Sequence, residues 1–179
     1  MLRTNFATFA ARFTRKSLRL LGKGATTLPG KIALKISPSV IKDFSKDKNI
    51  ITITGTNGKT TSSHMISEML SSMGYDVINN ISGANLASGI ATTLICEKGS
   101  GKGKKVYVLE TDEAAFAKIA GDLNPKVSVV TNLFRDQLDR YGELTYTRDC
   151  IANGIDKTDA KLILKKILIS VYVLVIKNI

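Results

Sequence analysis

The chain has 179 residues, with 26 Lys and Arg against 15 Asp and Glu, for a formal charge of +11. That length builds one domain with a real core and excludes two full ones, while the positive excess calls for an anionic partner such as nucleotide, nucleic acid or a membrane surface. No apolar run reaches the ~18 residues of a spanning helix and no continuous secretory h-region forms; the two distant cysteines, Cys96 and Cys150, have no metal or redox spacing and point to a reducing, cytosolic compartment.

The charge is concentrated at the amino end, where nine basic residues and no acidic one precede Asp43. Leu2 to Leu21 places Phe6, Phe9, Phe13 and Leu20 at helical spacing, with Arg12, Arg15, Lys16 and Arg19 on other faces, which predicts a basic amphipathic helix. Its aromatic stripe is expected to pack on the domain, with anionic lipid headgroups as the alternative. Gly22 and Gly24 end the helix, and Leu28-Pro29-Gly30-Lys31 reads as a turn into a short apolar stretch at Ile32 to Ile36. The charged segment Lys42 to Asn49 separates this arm, residues 1–48, from the core that follows.

Ile50-Ile51-Thr52-Ile53-Thr54 is a β-branched run that ends in Gly55-Thr56-Asn57-Gly58-Lys59-Thr60-Thr61 and opens into a helical pattern. Strand, phosphate loop and helix is the reading. Two glycines let bare backbone N–H groups approach an anion, Lys59 reaches outer phosphates, and Thr60 offers a hydroxyl to Mg²⁺ at a helix N-terminus. The common spacing puts another glycine five positions before Gly58, where this chain has Ile53.

In the next helix Met65, Ile66, Met69, Leu70 and Met73 are expected to form one apolar face, with Gly74 as its stop and His64 as a partly exposed residue rather than a catalyst. Tyr75 to Ile78 reads as a strand, followed by the polar turn Asn79 to Asn85 and a small-residue helix from Leu86 to Ile95. A turn of that composition at a strand's carboxyl end suits a ligand-binding loop, and ordinary turn chemistry suits it equally. The lysine- and glycine-rich segment Glu97 to Lys105 reads as a solvated loop. Lys105 to Leu109 is a strand ending in Glu110-Thr111-Asp112-Glu113, and a carboxylate at that tip can hold nucleotide-bound Mg²⁺ or begin an acidic helix over Ala114 to Ala120. Val127 to Thr131 is a further strand that delivers Asn132 to the same rim, before the polar helical stretch Arg135 to Arg140. Strands alternating with helices predict an α/β fold, a mostly parallel sheet of phosphate-loop type with helices on both faces.

Taken together, Thr54 to Thr61, Asn80 to Leu86, Glu110 to Glu113 and Thr131 to Glu143 resemble the Mur ligase family, and within it a branch that forms an amide on the peptidoglycan precursor. The family's form of the loop is Gly-Thr-Asn-Gly-Lys-Thr, which accounts for Ile53. The resemblance implies that residues 49–164 are a partial Mur ligase central domain. It implies ATP at Gly55, Thr56, Asn57, Gly58, Lys59, Thr60, Thr61 and Asn132, Mg²⁺ at Thr60 and Glu110, and catalytic roles for Lys59 and Glu110. Asn80, Ser82, Asn85 and Arg135 are assigned to substrate. Gln137 stands where many members carry a histidine that assists a second cation.

The implied reaction is ATP-dependent activation of the D-glutamate α-carboxylate of lipid II as an acyl phosphate, amidated by ammonia from a GatD-type glutaminase partner. An amino-acid-adding or folylpolyglutamate-synthase-like ligase is the near alternative, and a basic module for nucleic acid or membrane is the non-enzymatic one; nucleic acid is not expected. The expected location is cytoplasmic, with peripheral contact at the inner face of the plasma membrane. After Leu164 the family pattern stops and residues 165–179 read as an aberrant apolar tail, so a truncated, inactive chain is expected, without the cysteine ribbon that holds zinc in the full-length family.

Overall fold

The structure, a computed structural model, describes residues 2–22, 24–80, 83–133 and 141–164, the side chains of 141–144 excepted. The helical arm is α1 (Leu2–Leu20), α2 (Leu28–Ile36) and α3 (Val40–Ser45). The alternating part runs β1 (Asn49–Thr54), α4 (Lys59–Ser72), β2 (Asp76–Asn79), α5 (Ala87–Cys96), β3 (Lys105–Glu110), α6 (Glu113–Leu123), β4 (Val127–Val130), α7 (Tyr141–Ile155) and β5 (Lys161–Leu164). The five strands form one sheet in the order β2-β3-β1-β4-β5, and every pairing is parallel. This is the α/β arrangement that the alternating pattern predicts.

β-Branched side chains dominate β1, whose alternate residues serve opposite faces. Ile50 joins Ile78, Tyr107 and Leu109 under α5 and α6, whereas Ile51 and Ile53 join Val106 and Val108 under α4 through Ile66 and Leu70. Between β1 and β4 the hydroxyls of Thr52 and Ser128 satisfy one another at 2.9 Å inside the sheet. A third cluster, with Phe116, Val130, Ile151 and Ile155 at its centre, packs α6 and α7 over β4 and β5.

The arm shares the first of these cores, contributing Ala7, Ala11, Ala33, Val40 and Ile41. Leu28-Pro29-Gly30-Lys31 is the first turn of α2 rather than a turn leading into it, since proline at a helix start forfeits no hydrogen bond. The Gly30 N–H donates to Thr92 Oγ1 at 2.9 Å and ties α2 to α5.

Two apolar faces differ from their sequence-based expectation. In α1 the packed face is Ala7, Ala11 and Arg15, and Phe6, Phe9 and Phe13 are 63%, 67% and 64% exposed. Small residues let α1 approach its neighbours closely, and the rings are left on the outside. Likewise Met65 and Met69 of α4 and Met73 at its C-cap are exposed, and of the expected apolar face Ile66 and Leu70 pack against the sheet, beside the buried Ser63 and Ser67.

Candidate functional site

All five strands are parallel, so their carboxyl ends share one rim, and the neighbours of β1 set what meets there. Register places Glu110 of β3 level with Ile53 and Val130 of β4 level with Thr54. The loop after β1 therefore lies between Glu110 on one side and Thr131 and Asn132 on the other. Strand order reverses at this place, with successive strands going to opposite sides of β1, and such a switch point opens a crevice for ligands.

Gly55 has φ +125°, and a Cβ there would lie 2.5 Å from Thr131 Oγ1 and 2.7 Å from the Asn132 carbonyl oxygen. Gly58 has φ +80° and stands at the N-cap of α4. The residues that follow β4 brace the loop between them: the Thr56 N–H donates to the Asn132 carbonyl at 3.0 Å, the Asn57 N–H to Asn132 Oδ1 at 2.9 Å, and Thr131 Oγ1 to the Asn57 carbonyl at 2.8 Å. Asn132, expected to line a nucleotide pocket, holds the loop in shape from beside it.

Lys59 Nζ folds back over this loop, donating to the carbonyls of Gly55 at 2.5 Å and Thr56 at 3.1 Å and to Glu113 Oε1 at 3.0 Å. Next to it, Thr60 Oγ1 donates to Glu110 Oε2 at 2.9 Å, and Glu110 is buried. Thr60 and Glu110 thus bring two hard oxygen donors to one point at a helix N-terminus. Among the described residues no group of three or more His, Cys, Asp or Glu is placed to hold a metal ion. Mg²⁺ does not require one, because it is commonly held by one or two carboxylates with phosphates and water completing its shell. The donor set at Thr60 and Glu110 fits that ion.

The acidic tip of β3 divides its work. Glu110 meets Thr60, Asp112 Oδ1 accepts from the Ala114 and Ala115 N–H groups as the N-cap of α6, and Glu113 meets Lys59. Sequence reasoning named Glu113 in the acidic run but gave it no site role; the available signal was its spacing from Glu110, since a helix beginning at 113 can turn that side chain back toward the rim. Asn80 is spent on the backbone: its amide accepts from the Glu110 N–H and donates to the Glu110 carbonyl, both at 2.9 Å, and donates to Ala84. This places Asn80 as a positioning residue for Glu110. The Asn85 carbonyl accepts from the Asp112 N–H at 3.0 Å, which steadies the start of α6. Thr61 is exposed on the first turn of α4, and His64 is exposed further along it. Ser82, Arg135 and Gln137 lie outside the described residues, as do residues 165–179.

The segment read as a solvated loop has a structural duty. Asp76 accepts from the Ser100 N–H at 2.7 Å, the Ser100 hydroxyl at 2.9 Å and the Gly101 N–H at 3.0 Å. The Ser100 amide, helped by its hydroxyl, the Gly101 amide and Lys105, holds the Asp76 pKa below the usual carboxylate value against the opposing effect of burial. Of the cysteines, Cys150 is buried and Cys96 half-buried, and both are free thiols. Burial pushes the Cys96 pKa up despite the adjacent Arg15, which leaves little reactive thiolate.

The model of the Mur ligase middle domain matches residues 53–150, more than half of the chain. The MurT subunit of lipid II isoglutaminyl synthase (glutamine-hydrolyzing) from Streptococcus pneumoniae is 39% identical over 163 residues, which cover 91% of this chain and 36% of that protein. Its Staphylococcus aureus counterpart is 38% identical over 155 residues, covering 86% and 35%. A UDP-N-acetylmuramoylalanine–D-glutamate ligase from Bartonella henselae is 33% identical over 101 residues, covering 56% and 20%. The chain spans about a third of the length of the MurT relatives. Among solved structures, MurF from Thermotoga maritima in complex with ADP superposes with a TM-score of 0.61 at 17% identity over 74% of this chain and 32% of that one. MurF from Acinetobacter baumannii gives 0.60 at 17% over 75% and 30%. At that identity the structural likeness concerns the fold. With the phosphate loop, the strand-tip glutamate and the family match all lying in one stretch, the chain belongs to the Mur ligase family.

Proposed function

We propose that this chain is the nucleotide-binding part of a MurT-type subunit, which uses ATP to activate the α-carboxylate of D-glutamate in lipid II for amidation. The observation that carries the reading is the meeting of Thr60 Oγ1 and Glu110 Oε2 at 2.9 Å beside a loop already wrapped by Lys59. Similarity to MurT over most of the chain supports the substrate class.

In this reading the N–H groups of Gly58 and of the first turn of α4, Thr61 included, cradle the phosphates, while those of Thr56 and Asn57 stay with Asn132, and Lys59 exchanges its bond to Glu113 for one to an outer phosphate oxygen. Thr60 and Glu110 are the residues that would hold Mg²⁺, which when bound neutralises charge on the phosphate oxygens. Asn132 keeps the loop in its curved form, and Asn80 keeps Glu110 aimed at Thr60. The carboxylate oxygen attacks the γ-phosphorus, the bond to the leaving ADP breaks, and an acyl phosphate forms. Ammonia from a GatD-type glutaminase then adds to the acyl carbon and expels phosphate, leaving the carboxamide. A fixed array of donors around the transferring group suits such a step, since the charge to be stabilised is spread over phosphoryl oxygens. Asn85, Ser82 and Arg135 keep their assignment to the substrate.

A chimera tests this. Residues 53–150 would replace the matching stretch of Streptococcus pneumoniae MurT, and the product would be assayed with its glutaminase for conversion of lipid II D-glutamate to the amide by mass spectrometry. The expected outcome is ATP-dependent amidation that Lys59→Ala abolishes. A folded chimera that couples an amino acid instead of ammonia would replace this reading with the amino-acid-adding one.

A further inference from the structure

The exposed side of α1 carries two features next to each other. Leu2, Phe6, Phe9, Phe13 and Leu20 recur at spacings of three, four or seven residues and form one stripe along the helix, every member more than 60% exposed. The Phe9 and Phe13 rings stack, with centroids 6.2 Å apart. At 100° per residue Arg12, Lys16 and Arg19 fall in a second row directly beside this stripe. That row lines an open cleft of about 410 Å³ with Lys98, and none of the described residues lining it is a carboxylate. Glu97, which could have neutralised the row, is held by Arg15. A second depression runs along the helix between the two features, with Phe9 and Phe13 on one side and Arg12 and Lys16 on the other.

We propose that α1 is a docking surface for an anionic phospholipid bilayer, lying in the plane of the headgroups with the phenylalanines among the acyl chains. The apolar stripe alone would accept many occupants. The adjoining row of cations selects one that is negatively charged and apolar at once, arranged in two parallel layers, and an anionic lipid surface has that form. The opposite face of α1 is committed to the core through Ala7 and Ala11, so the helix can reach the lipid without leaving the domain. No helix among the described residues is long and apolar enough to cross a membrane, so the contact is peripheral. This proposal does not rest on the nucleotide chemistry.

The chain has no tryptophan, so Phe9→Trp introduces a single reporter on an exposed ring position. With the whole 179-residue chain, that variant should shift to shorter emission wavelength on adding phosphatidylglycerol vesicles and be quenched by brominated acyl chains, with no change on pure phosphatidylcholine. In co-sedimentation, wild type should bind the anionic vesicles at least tenfold more tightly than neutral ones and release them as salt rises. Phe9→Asp/Phe13→Asp should lose at least tenfold in affinity, and Lys16→Glu/Arg19→Glu should lose the preference for anionic lipid, with circular dichroism unchanged in both. Absence of binding, or equal binding by the Phe9→Asp/Phe13→Asp variant, would overturn the proposal. So would a dimer detected by light scattering that dissolves in that variant while vesicles are ignored, because the stripe would then belong to a second copy.

Discussion

Lys59 Nζ lies 3.0 Å from Glu113 Oε1, and both side chains are largely buried, at 15% and 17% exposure. The cation that the proposed site directs at phosphate is thus held by a carboxylate. Phosphate and Glu113 compete for the same ammonium, and any ligand must offset the lost pair. Glu113→Gln should therefore bind ATP more tightly, by roughly threefold or more, because the competing charge is gone. The same change should lower stability by about 1 kcal/mol, since Lys59 keeps its two carbonyl acceptors and the pair is not fully buried. Calorimetric titration and urea denaturation measure the two effects; weaker ATP binding in Glu113→Gln would mean that Glu113 assists the bound state instead.

The two loop glycines should respond differently to the same substitution. At Gly58 a Cβ meets nothing within 4 Å, so Gly58→Ala carries only the strain of φ +80°, about 1–2 kcal/mol. At Gly55 the added carbon also runs into Thr131 and the Asn132 backbone, so strain and overpacking combine to about 3 kcal/mol or more. Urea midpoints for the two variants should rank in that order, and equal losses would show that the approach of β4 to the loop does not constrain Gly55.

Acid should loosen the edge of the sheet at Asp76. Its pKa is lowered in the folded chain, chiefly by the Ser100 N–H, so the unfolded chain binds the proton more readily. The resulting stability is complete above the ordinary value of 3.8 and is lost as pH falls through and below it. Asp76→Asn should lower the unfolding midpoint at pH 7, and the gap between variant and wild type should narrow at pH 3. A gap of the same size at both values would remove Asp76 as the titrating group.

Much of this arrangement was legible in the residues. The run from Ile50 to Thr54 reads as a buried strand because its side chains are β-branched, and Gly55 to Thr60 reads as a phosphate loop because its chemistry is local. Glu110 could be found as a carboxylate at a strand tip. What escaped depended on neighbours distant in sequence. Large apolar side chains on α1 and α4 suggest a buried face, but how closely each helix approaches its neighbours decides the outcome, and Ala7 and Ala11 admit a closer approach than Phe6 or Phe9. The capture of Asp76 by Ser100 and Gly101 and the spending of Asn80 on the Glu110 backbone likewise arise only when β2 and β3 come together.

The central claim is that Lys59, Thr60 and Glu110 form a site for magnesium-bound ATP. Isothermal titration of ATP into the 179-residue chain, with Mg²⁺ and then with chelator, tests it most directly. The account predicts binding that Lys59→Ala weakens at least tenfold, about 1.4 kcal/mol, and a Mg²⁺-dependent gain in affinity that disappears in Glu110→Gln. Undiminished ATP affinity in Lys59→Ala, or an unchanged response to Mg²⁺ in Glu110→Gln, would contradict it.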